Sequence, residues 1–412
     1  MRILHICSSD LGGGAGIVAY RLCREMQKSG QEVSMLVGKK YSNAAWVHPI
    51  VSNRIPWIAD KLTGRFVNSL GLHSMFQPSS LSIAEHRLVK NADIVHLHNI
   101  HGEYFSLFVL PAINKNTPIV WTFHDMWPIT GHCAAYYECD GWKNECKKCL
   151  NLSAYPRLTW DSAHYLFKVK KDVYKRLKNI IIACPSQWLY DRVSESPLMH
   201  NFDIRQIPNG VDIAVFRPMS KQAARIALQL DADSAIIMFS SRNADDPRKG
   251  KPFLENIVNS ILDRLRKKIT LLCVGQGNFD TLKSIPGVSV RETGFIQSEA
   301  ILSLCYSAAD VFLFPSLGEN LPSVLIESMA CGTPCVAYNT GGIGEIIQHR
   351  ENGYLAMPNS SWQLAEGICE LLDNRTLYES LVNNGINLAR TKFSLAMQVG
   401  NYTNLYNALK RH

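Results

Sequence analysis

The chain has 412 residues, of which 46% are hydrophobic and 19% are charged, with 26 Gly and 18 Pro. This length predicts two to four domains with a large core, and the composition excludes disordered, collagenous and coiled-coil proteins. The net charge of +8 is uneven, because the chain up to Ala183 carries +9 and the remainder −1. A basic first half indicates an anionic partner (a membrane surface, a phosphorylated lipid or nucleic acid), or else charges scattered for solubility.

The N-terminus opens directly in a strand pattern without a secretory signal, and no run approaches the roughly 18 uninterrupted apolar residues of a membrane span. We therefore expect a cytoplasmic protein. Short, β-branched apolar runs alternate with helical patterns, as in parallel strands that helices cover on both faces. The predicted strands are Arg2 to Cys7, Val33 to Val37, Asp93 to Leu97, Ile119 to Phe123, Ile180 to Cys184, Ala235 to Ser240, Ile269 to Val274, Val311 to Phe314 and Pro334 to Ala337.

The strand series is interrupted once, between Cys184 and about Ala235. The connecting segment carries Pro, Asn and Gly turn residues before a new helix and a second strand series. This pattern predicts an α/β protein with two Rossmann-like lobes facing each other across a cleft, in which ligands bind outside the carboxyl ends of the strands. We place the first lobe at 1–190, the second at 191–390 and a final helix in 391–412.

The strongest motif runs from Phe314 to Pro334. Glu319 follows a strand, and Glu327 lies in a helix that Pro322 opens at its first position. Free backbone N–H groups at the start of that helix favour an anion such as a phosphate. Glu327 lies roughly 7.5 Å deeper at about 1.5 Å per residue, which suits a ribose, whereas Glu319 suits a sugar beyond a diphosphate. The alternative is chance spacing of a surface and a helix carboxylate.

Two further loops follow strands of the second lobe. Arg242 and Lys249 follow its first strand; together they suit neutralisation of a leaving diphosphate without Mg²⁺, although a solvated charged loop is the alternative. The loop around Gly341 and Gly342 follows another strand, and its glycines permit close approach of the backbone to a ligand.

A glycine loop, Gly12 to Gly14, joins the opening strand to its helix. It fits a dinucleotide-binding fingerprint only through Gly14, Gly16 and Ala19. The second strand ends Val37-Gly-Lys-Lys, without the acidic residue that this fingerprint requires. The pattern therefore disfavours an NAD dehydrogenase and leaves a glycine loop that faces the cleft.

His124 ends a strand of the first lobe, so its imidazole is expected to project into the same cleft. It suits a hydrogen bond to a sugar hydroxyl or to charge that develops in a transition state, although a lone His is more often structural. His96, His98 and His101 are nearby in the sequence, and their spacing alone does not indicate a metal site.

Twelve cysteines without an export signal argue against disulfides, and eight of them read as small core residues. The other four fall within seventeen residues, in a Cys-rich insertion at about 131–151. The last two form a Cys-x-x-Cys knuckle, which favours structural zinc; reduced thiols and an iron–sulfur cluster stay open. Hydrolytic zinc is disfavoured because four thiolates leave no position for water. The four are Cys133, Cys139, Cys146 and Cys149.

A basic run from Lys168 to Lys178 has apolar residues at helical spacing. Such a helix suits an anionic lipid surface, although a solvated helix face is the commoner outcome.

Together these motifs resemble the retaining GT-B glycosyltransferases of family 4, over nearly the whole chain. The stretch that begins His124-Asp-Met-Trp-Pro, with the four cysteines behind it, is similar to a subgroup that builds bacterial surface polysaccharides. The resemblance implies the GT-B fold, with a last helix from Ser394 to Lys410 that crosses back to the first lobe. It is carried by Gly318 to Pro334, Arg242, Lys249, the linker Pro208 to Asp212 and the Gly341–Gly342 loop.

The resemblance also implies roles in donor binding. Arg242 and Lys249 would hold the nucleotide diphosphate, and Glu327 would bind the ribose. The separation of Arg242 and Lys249 is longer than is common in the family, so Arg248 is expected to share the role of Lys249. We also assign Gly294 to the nucleotide-sugar-binding set.

For the sugar and the acceptor, the resemblance implies a second group of residues. Glu319 would contact donor sugar hydroxyls, with the backbone amides of Asn320 and Leu321 nearby. His124 would touch the donor sugar, and the loop Gly12 to Gly14 would line the acceptor side.

The activity implied is transfer of a sugar, with retention, from a nucleotide-diphosphate donor to a saccharide, lipid-linked if the basic first half faces a membrane. The resemblance implies no metal in catalysis and no nucleic-acid partner. Because no carboxylate is clearly placed as a nucleophile, front-face attack is favoured over double displacement. The alternatives are a nucleotide-sugar epimerase of similar fold and a non-catalytic nucleotide-sugar-binding subunit.

Overall fold

The computed structural model describes residues 1–51, 54–73, 75–135, 139–265 and 267–410, without the side chains of 54–57, 59 and 61. The chain folds as two compact units. Unit 1 comprises Met1–Pro208 and Gln398–His412, and unit 2 comprises Asn209–Met397. None of the described helices combines the length and hydropathy needed to cross a bilayer.

Unit 1 is built on a seven-stranded sheet in which every neighbouring pair is parallel, in the order β3-β2-β1-β4-β5-β6-β7. The central strands are buried along their whole length, because helices cover both faces. The strands are β1 (Arg2–Ser9), β2 (Glu32–Lys39), β3 (Val47–Pro49), β4 (Ile94–Leu97), β5 (Ile119–Thr122), β6 (Ile180–Cys184) and β7 (Asp203–Gln206).

The helices of unit 1 lie in the connections between these strands, because parallel neighbours need a crossover connection. Short 3₁₀ turns lie at Pro78–Glu85, Leu107–Val109, Trp127–Ile129 and Gly141–Asn144. The α-helices are α1 (Gly14–Lys28), α2 (Arg54–Ser69), α3 (Arg87–Lys90), α4 (Leu110–Asn114), α5 (Ala163–Tyr174) and α6 (Gln187–Glu195).

Unit 2 repeats the plan with a six-stranded parallel sheet in the order β10-β9-β8-β11-β12-β13. Its strands are β8 (Ala235–Asn243), β9 (Ile269–Gln276), β10 (Val288–Gly294), β11 (Val311–Phe314), β12 (Cys335–Tyr338) and β13 (Gly353–Ala356). Short 3₁₀ turns lie at Pro247–Lys249 and Lys251–Phe253. The α-helices are α7 (Lys221–Ala227), α8 (Leu254–Leu262), α9 (Asp280–Lys283), α10 (Glu299–Ala308), α11 (Ser323–Ala330), α12 (Ile343–Ile346), α13 (Ser361–Asp373) and α14 (Arg375–Thr391).

Local sequence explains where many of these helices begin. Small polar residues stand one position before the first helical residue, and their side chains accept a hydrogen bond from a backbone N–H of the first turn. These caps are Ser186 of α6, Ser220 of α7, Ser298 of α10, Ser360 of α13 and Asn374 of α14.

The two-lobed α/β prediction is confirmed, and each of the nine predicted strands is present within a few residues. Four strands were missed, namely β3, β7, β10 and β13. Strands β7 and β10 lie at sheet edges and are largely exposed, so they lack the continuous apolar run that marks a buried strand. Strand β3 has three residues, which is too short for a pattern.

Unit 1 extends past the predicted end at residue 190, because β7 pairs with β6 and completes the sheet. The chain leaves and returns at adjacent points, since Val211 pairs with Ser394 in an isolated parallel bridge. The last helix, α15 (Leu395–Lys410), belongs to unit 1 from Gln398 onward. Its Tyr402 and Tyr406 are buried in the unit 1 core.

Candidate active site

The candidate site of unit 2 lies at the carboxyl ends of β8 and β11. These neighbouring strands separate the two halves of the sheet, β10-β9-β8 and β11-β12-β13. In an open parallel sheet such a switch point leaves a crevice between the loops that follow the strands. The loops of the motif at 314–334 and of Arg242 and Lys249 both leave the sheet at this point.

The loop after β8 is held against the loop after β11 by its backbone. The carbonyl of Arg248 accepts hydrogen bonds from the Leu317 N–H at 2.8 Å and from Ser316 Oγ at 3.0 Å. Gly250 adopts a left-handed backbone with φ of 81°, and a Cβ there would lie 2.0 Å from the Pro315 carbonyl oxygen. A glycine is therefore required where the two loops meet.

This contact brings together two predicted site residues. Lys249 Nζ lies 2.5 Å from Glu319 Oε1, and Ser316 Oγ donates to the same oxygen at 2.9 Å. Both side chains are only partly exposed, at 33% for Lys249 and 18% for Glu319. The half-buried Lys249 ammonium can exchange the Glu319 carboxylate for a phosphate. Glu319 can then accept a hydrogen bond from a neutral hydroxyl.

Glu319 is fixed from behind by the Gly341–Gly342 loop. The Gly342 N–H donates to the Glu319 carbonyl at 3.0 Å. Gly341 has a φ of 57°, and a Cβ there would lie 1.9 Å from the same carbonyl oxygen. The close approach that these glycines permit in the described chain is thus to the backbone of Glu319, and it positions the Glu319 loop.

Helix α11 begins one residue later than predicted. Pro322 occupies the N-cap with φ of −73° and ψ of 113°, and Ser323 is the first helical residue. The Asn320 and Leu321 side chains are buried, at 7% and 5% exposed, and the Leu321 carbonyl accepts from Asn209 Nδ2 at 3.2 Å. The turn before α11 is therefore rigidly supported.

Glu327 lies in α11 with only 3% of its surface exposed. Tyr306 of α10 donates its hydroxyl to Glu327 Oε2 at 3.1 Å. A carboxylate so deeply placed, with one oxygen held by a phenol, has a fixed orientation. Such a group suits recognition of neighbouring hydroxyls.

The other predicted donor-binding residues of unit 2 have separate surroundings. The Arg242 guanidinium lies over the Phe295 ring, 4.9 Å from its centroid. Phe295 follows Gly294, the last residue of β10, where φ is 67° and a Cβ would meet nothing within 4 Å. Arg248 makes a bidentate pair with Asp246, at 2.6 and 3.1 Å, whereas Lys249 is the residue that contacts Glu319.

In unit 1 the glycine loop follows β1 at the corresponding switch point, between β1 and β4. Gly12 donates its N–H to Ser9 Oγ at 3.0 Å, and a Cβ at Gly12 would lie 2.2 Å from that oxygen. Gly13 and Gly14 have open space within 4 Å of an added Cβ. Buried Asp10 braces the loop by accepting from the Leu11, Tyr41 and Ser42 N–H groups at 2.7 to 2.9 Å.

His124 is the second residue after β5 and belongs to a row of imidazoles. His98 Nδ1 lies 2.9 Å from His124 Nε2, and His5 Nδ1 lies 3.0 Å from His98 Nε2. Burial lowers the pKa of His124 to about 4 and that of His5 to about 3. The row is therefore uncharged at neutral pH.

The remaining histidines of this region are tied to structural partners. His96 lies 2.7 Å from Thr122 Oγ1 through Nε2 and 2.5 Å from the Tyr406 hydroxyl through Nδ1. His101 Nε2 lies 2.9 Å from Asp125 Oδ2.

The four clustered cysteines are free and partly buried, and residues 136–138 between them lie outside the described part of the chain. Three of their sulfurs have hydrogen-bond partners: the Gly131 N–H donates to Cys146 Sγ at 3.2 Å, the Gly141 N–H donates to Cys139 Sγ at 3.3 Å, and Cys149 Sγ lies 3.2 Å from His132 Nε2. Among the described residues, the group of three or more potential metal-ligand residues whose ligand atoms all lie within 4.8 Å is His5, His96 and His98, and not the thiols. Zinc at the four cysteines stays a prediction from their spacing.

The basic run at 168–178 forms part of α5 and the turn after it. Its Lys170 is buried, donates to the Trp127 and Thr130 carbonyls at 2.5 and 2.9 Å, and lies over the Trp127 ring. Lys171 pairs with Glu145 at 2.6 Å. The apolar side chains of α5, among them Leu166 and Phe167, are buried in the core, as in a solvated surface helix.

Three residues of the site escaped sequence reasoning. Ser316 stands three positions before Glu319 in the same motif, so that spacing was available as a signal. Tyr306 lies in the apolar helix α10, where nothing in the sequence marks it as a partner of Glu327. Phe295 follows a strand that was itself missed.

Comparison with known proteins identifies two matching family models. A family model described as Glycosyltransferase Family 4 matches residues 12–215, and one described as Glycosyl transferases group 1 matches residues 234–374.

Two curated relatives cover different shares of the chain. The putative colanic acid biosynthesis glycosyl transferase WcaC of Escherichia coli K12 is 26% identical over 62% of this chain and 62% of its own length, which is less than two thirds. Phosphatidyl-myo-inositol mannosyltransferase of Mycobacterium leprae is 25% identical over 95% of this chain and 92% of its own length.

Solved structures match in fold. Sucrose-phosphate synthase of Thermosynechococcus elongatus is 18% identical, with a TM-score of 0.71 over 99% of this chain and 98% of its own. HepE of Anabaena in complex with UDP-glucose is 16% identical, with a TM-score of 0.68 over 99% of this chain and 100% of its own. The chain therefore has the GT-B fold and carries a glycosyltransferase family 4 domain followed by a glycosyl transferases group 1 domain.

Proposed function

We propose that the protein transfers a sugar from a nucleotide-diphosphate donor, with retention, to a saccharide acceptor in surface polysaccharide synthesis. The observation that carries the proposal is the contact between Lys249 and Glu319 at the switch point of unit 2. One cation and one carboxylate meet there, in loops of which one leads into α11, the helix that carries Glu327. Lys249, Glu319 and Glu327 thus suit the diphosphate, the sugar and the ribose of a nucleotide sugar, respectively.

In the proposed complex the diphosphate replaces Glu319 as the partner of Lys249. Arg242 and the backbone N–H groups near Asn320 and Leu321 add further positive character to the same anion. Glu319 then accepts hydrogen bonds from sugar hydroxyls. The positive groups favour departure of the diphosphate because its negative charge increases as the glycosidic bond breaks. Arg248 has a secondary part, since Asp246 already neutralises it.

The proposed chemistry is a front-face displacement. The bond from the anomeric carbon to the phosphate oxygen breaks, the acceptor hydroxyl oxygen bonds to the same face, and its proton passes to the departing phosphate. Glu319 supports this assignment rather than a nucleophilic one, because in the proposed complex its carboxylate accepts hydrogen bonds from sugar hydroxyls and from Ser316 Oγ. A trapped glycosyl-enzyme adduct or an inverted product would refute the mechanism.

We also propose roles for unit 1. His124 takes part in the transfer through a neutral imidazole, and the loop Gly12 to Gly14 serves the acceptor. Support comes from their positions at the carboxyl ends of β5 and β1, where ligands of parallel sheets bind.

We further propose that the acceptor is lipid-linked and that unit 1 meets an anionic membrane surface. The support is a stripe of exposed apolar side chains at four-residue spacing, Ile58, Leu62, Phe66 and Leu70, of which Leu62 and Phe66 are 65% and 64% exposed. A helical stripe of this kind in a basic unit suits the interface of an anionic bilayer. The named activity of the mannosyltransferase relative, on a phosphatidylinositol, is in keeping with such an acceptor.

Vesicle co-sedimentation tests the membrane proposal. We expect the protein to bind vesicles of phosphatidylglycerol and phosphatidylcholine, and the double variant Leu62→Glu/Phe66→Glu to lose binding. Ile226→Glu is the matched control, because Ile226 of unit 2 is 69% exposed. Equal binding by the parent and the double variant would overturn the assignment.

Zinc at Cys133, Cys139, Cys146 and Cys149 is a separate structural proposal. It is supported by their spacing and by the backbone N–H groups that donate to the sulfurs of Cys139 and Cys146. Tetrahedral zinc needs sulfurs roughly 3.8 Å apart, so binding must draw the four together. Elemental analysis of protein purified without chelator should find one zinc per chain, and Cys146→Ser should remove it.

The donor is identified by thermal shift with UDP, GDP, ADP and their sugars. UDP comes first, because HepE is solved with UDP-glucose. The correct nucleotide should stabilise unit 2 by about 2.7 kcal/mol at a hundredfold excess over its dissociation constant. Incubation with donor alone separates the alternatives: interconversion of the sugar indicates an epimerase, and binding without turnover in a lipid extract indicates a binding subunit.

A further inference from the structure

His5, His98 and His124 form a continuous row of hydrogen-bonded imidazoles that runs from the core of unit 1 to its strand ends. The two ring-to-ring nitrogen distances are 3.0 and 2.9 Å, and the three residues come from β1 and the segments after β4 and β5. His5 and His98 are 0% and 1% exposed, while His124 is partly exposed. The row therefore has a buried end and an accessible end.

Proton bookkeeping restricts this row to two states. A neutral imidazole has one N–H and one lone pair. If His98 donates from Nδ1 to His124, it must accept from His5 at Nε2. If His98 donates from Nε2 to His5, it must accept from His124 at Nδ1. The direction at one bond thus sets the direction at the other and the tautomer of His124.

The buried end selects the direction. His5 Nε2 is buried, and no described residue hydrogen-bonds to it. If the row ran toward His5, that nitrogen would carry an orphan N–H, whereas in the opposite direction it carries only a lone pair. Orphan buried N–H groups are the rarer of the two in folded proteins. His5 therefore donates to His98, and His98 donates to His124.

We infer that His98 is a positioning residue which holds His124 with its proton on Nδ1, so that His124 acts as a hydrogen-bond donor and not as a base. The inference rests on the proposed role of His124 in sugar transfer. A donor there suits a sugar oxygen or charge that develops on the departing group. His96 stays outside the row, because its two nitrogens face Thr122 and Tyr406.

The row also explains why we do not assign a metal to His5, His96 and His98. A metal needs a lone pair from each imidazole. Each nitrogen of His98 and of His96 already lies within 3.0 Å of a hydrogen-bond partner. Binding a metal would break the row from which the tautomer of His124 follows.

Nitrogen NMR of the unliganded, ¹⁵N-histidine-labelled protein tests the tautomer directly. His124 signals are assigned by their loss in His124→Gln. We expect a protonated Nδ1 and an unprotonated Nε2 in the parent, and a shift toward the Nε2–H form in His98→Leu. A protonated Nε2 at His124 in the parent would overturn the inference, and this measurement needs no substrate.

Kinetics test the positioning role. His98→Leu should lower kcat about tenfold, the loss expected for one hydrogen bond, and should have no further effect in a His124→Leu background. His98→Asn should recover most of the rate, because its amide can still donate near the position of Nδ1. Additive losses, or equal losses in the Leu and Asn variants at unchanged melting temperature, would contradict the role.

A failure of the proposed function is distinguishable from a failure of this inference. If the parent turns over none of the nucleotide sugars, sugar transfer is refuted, whereas the NMR result stands.

Discussion

The two units differ in electrostatics near the carboxyl ends of their parallel strands, since one offers charged side chains and the other neutral imidazoles. At the carboxyl end of unit 2, Lys249 pairs with Glu319, Arg248 with Asp246 and Lys251 with Asp245. In unit 1 a row of neutral imidazoles runs from buried His5 to His124 at the carboxyl end of β5. The comparison teaches that parallel-sheet topology supplies a place for a ligand, while the residues after each strand decide whether that place offers charge or directional hydrogen bonds.

Removing the cation of unit 2 should have the largest effect. In Lys249→Ala we expect kcat to fall by about 100- to 1000-fold, because the departing diphosphate loses a fixed positive partner and Glu319 keeps an uncompensated charge. Steady-state kinetics with the donor found by thermal shift measures it. Lys251→Ala is the matched control, since Lys251 pairs with Asp245 and not with Glu319. Similar losses in the two variants would mean that the contact with Glu319 is not the centre of the site.

Acidification should lower the stability of unit 1 more than that of unit 2. The pKa of His124 is about 4 in the folded chain against an ordinary 6.5, so between these values the unfolded chain binds a proton that the folded chain does not. The stability contributed is present above pH 6.5 and is lost as the pH falls toward 4, at most about 3 kcal/mol for this residue.

Hydrogen exchange at about pH 7.5 and pH 5 reads this difference in one chain. Amides of β1, β4 and β5 should lose more protection than those of β8 and β11. His124→Gln should reduce the loss, whereas His200→Gln, at an exposed histidine, should leave it unchanged. Equal losses in both units would contradict the assignment of buried, neutral imidazoles to unit 1.

A methyl group at Gly341 should disturb the charged site without touching its charges. Gly341→Ala strains a left-handed residue and pushes on the Glu319 carbonyl, so we expect about 2 to 3 kcal/mol lower stability and a weaker response to nucleotide. Gly400→Ala, where an added Cβ meets nothing within 4 Å, is the control. Chemical denaturation measures both, and a neutral Gly341→Ala would mean that this loop does not position Glu319.

The smallest effect concerns the ribose. Glu327→Gln keeps the volume and the contact with Tyr306 but removes the charge, so KM for the donor should rise about tenfold while kcat changes little. Glu366→Gln, at a partly buried carboxylate in α13 of the same unit that accepts from the Tyr354 hydroxyl, should change neither. A fall in kcat with unchanged KM would place Glu327 in the chemical step instead.

Much of the fold was accessible without coordinates. Buried parallel strands are apolar throughout, so β1, β6 and β11 stood out, and their order predicted two Rossmann-like units. Edge strands β7 and β10 did not, because their exposed faces tolerate charged residues. The start of α11 was displaced by one residue, since proline suits either position at a helix N-terminus.

The sequence by itself determined the two parallel sheets, the loops after their strands and the residue types available there, because strand periodicity and turn chemistry are local. Only the tertiary structure decided the partners. It paired Lys249 rather than Arg248 with Glu319, placed Tyr306 on Glu327 and aligned His5, His98 and His124 from three separate segments. The physical reason is that these contacts depend on which strands become neighbours in the sheet, and neighbours in a parallel sheet are distant along the chain.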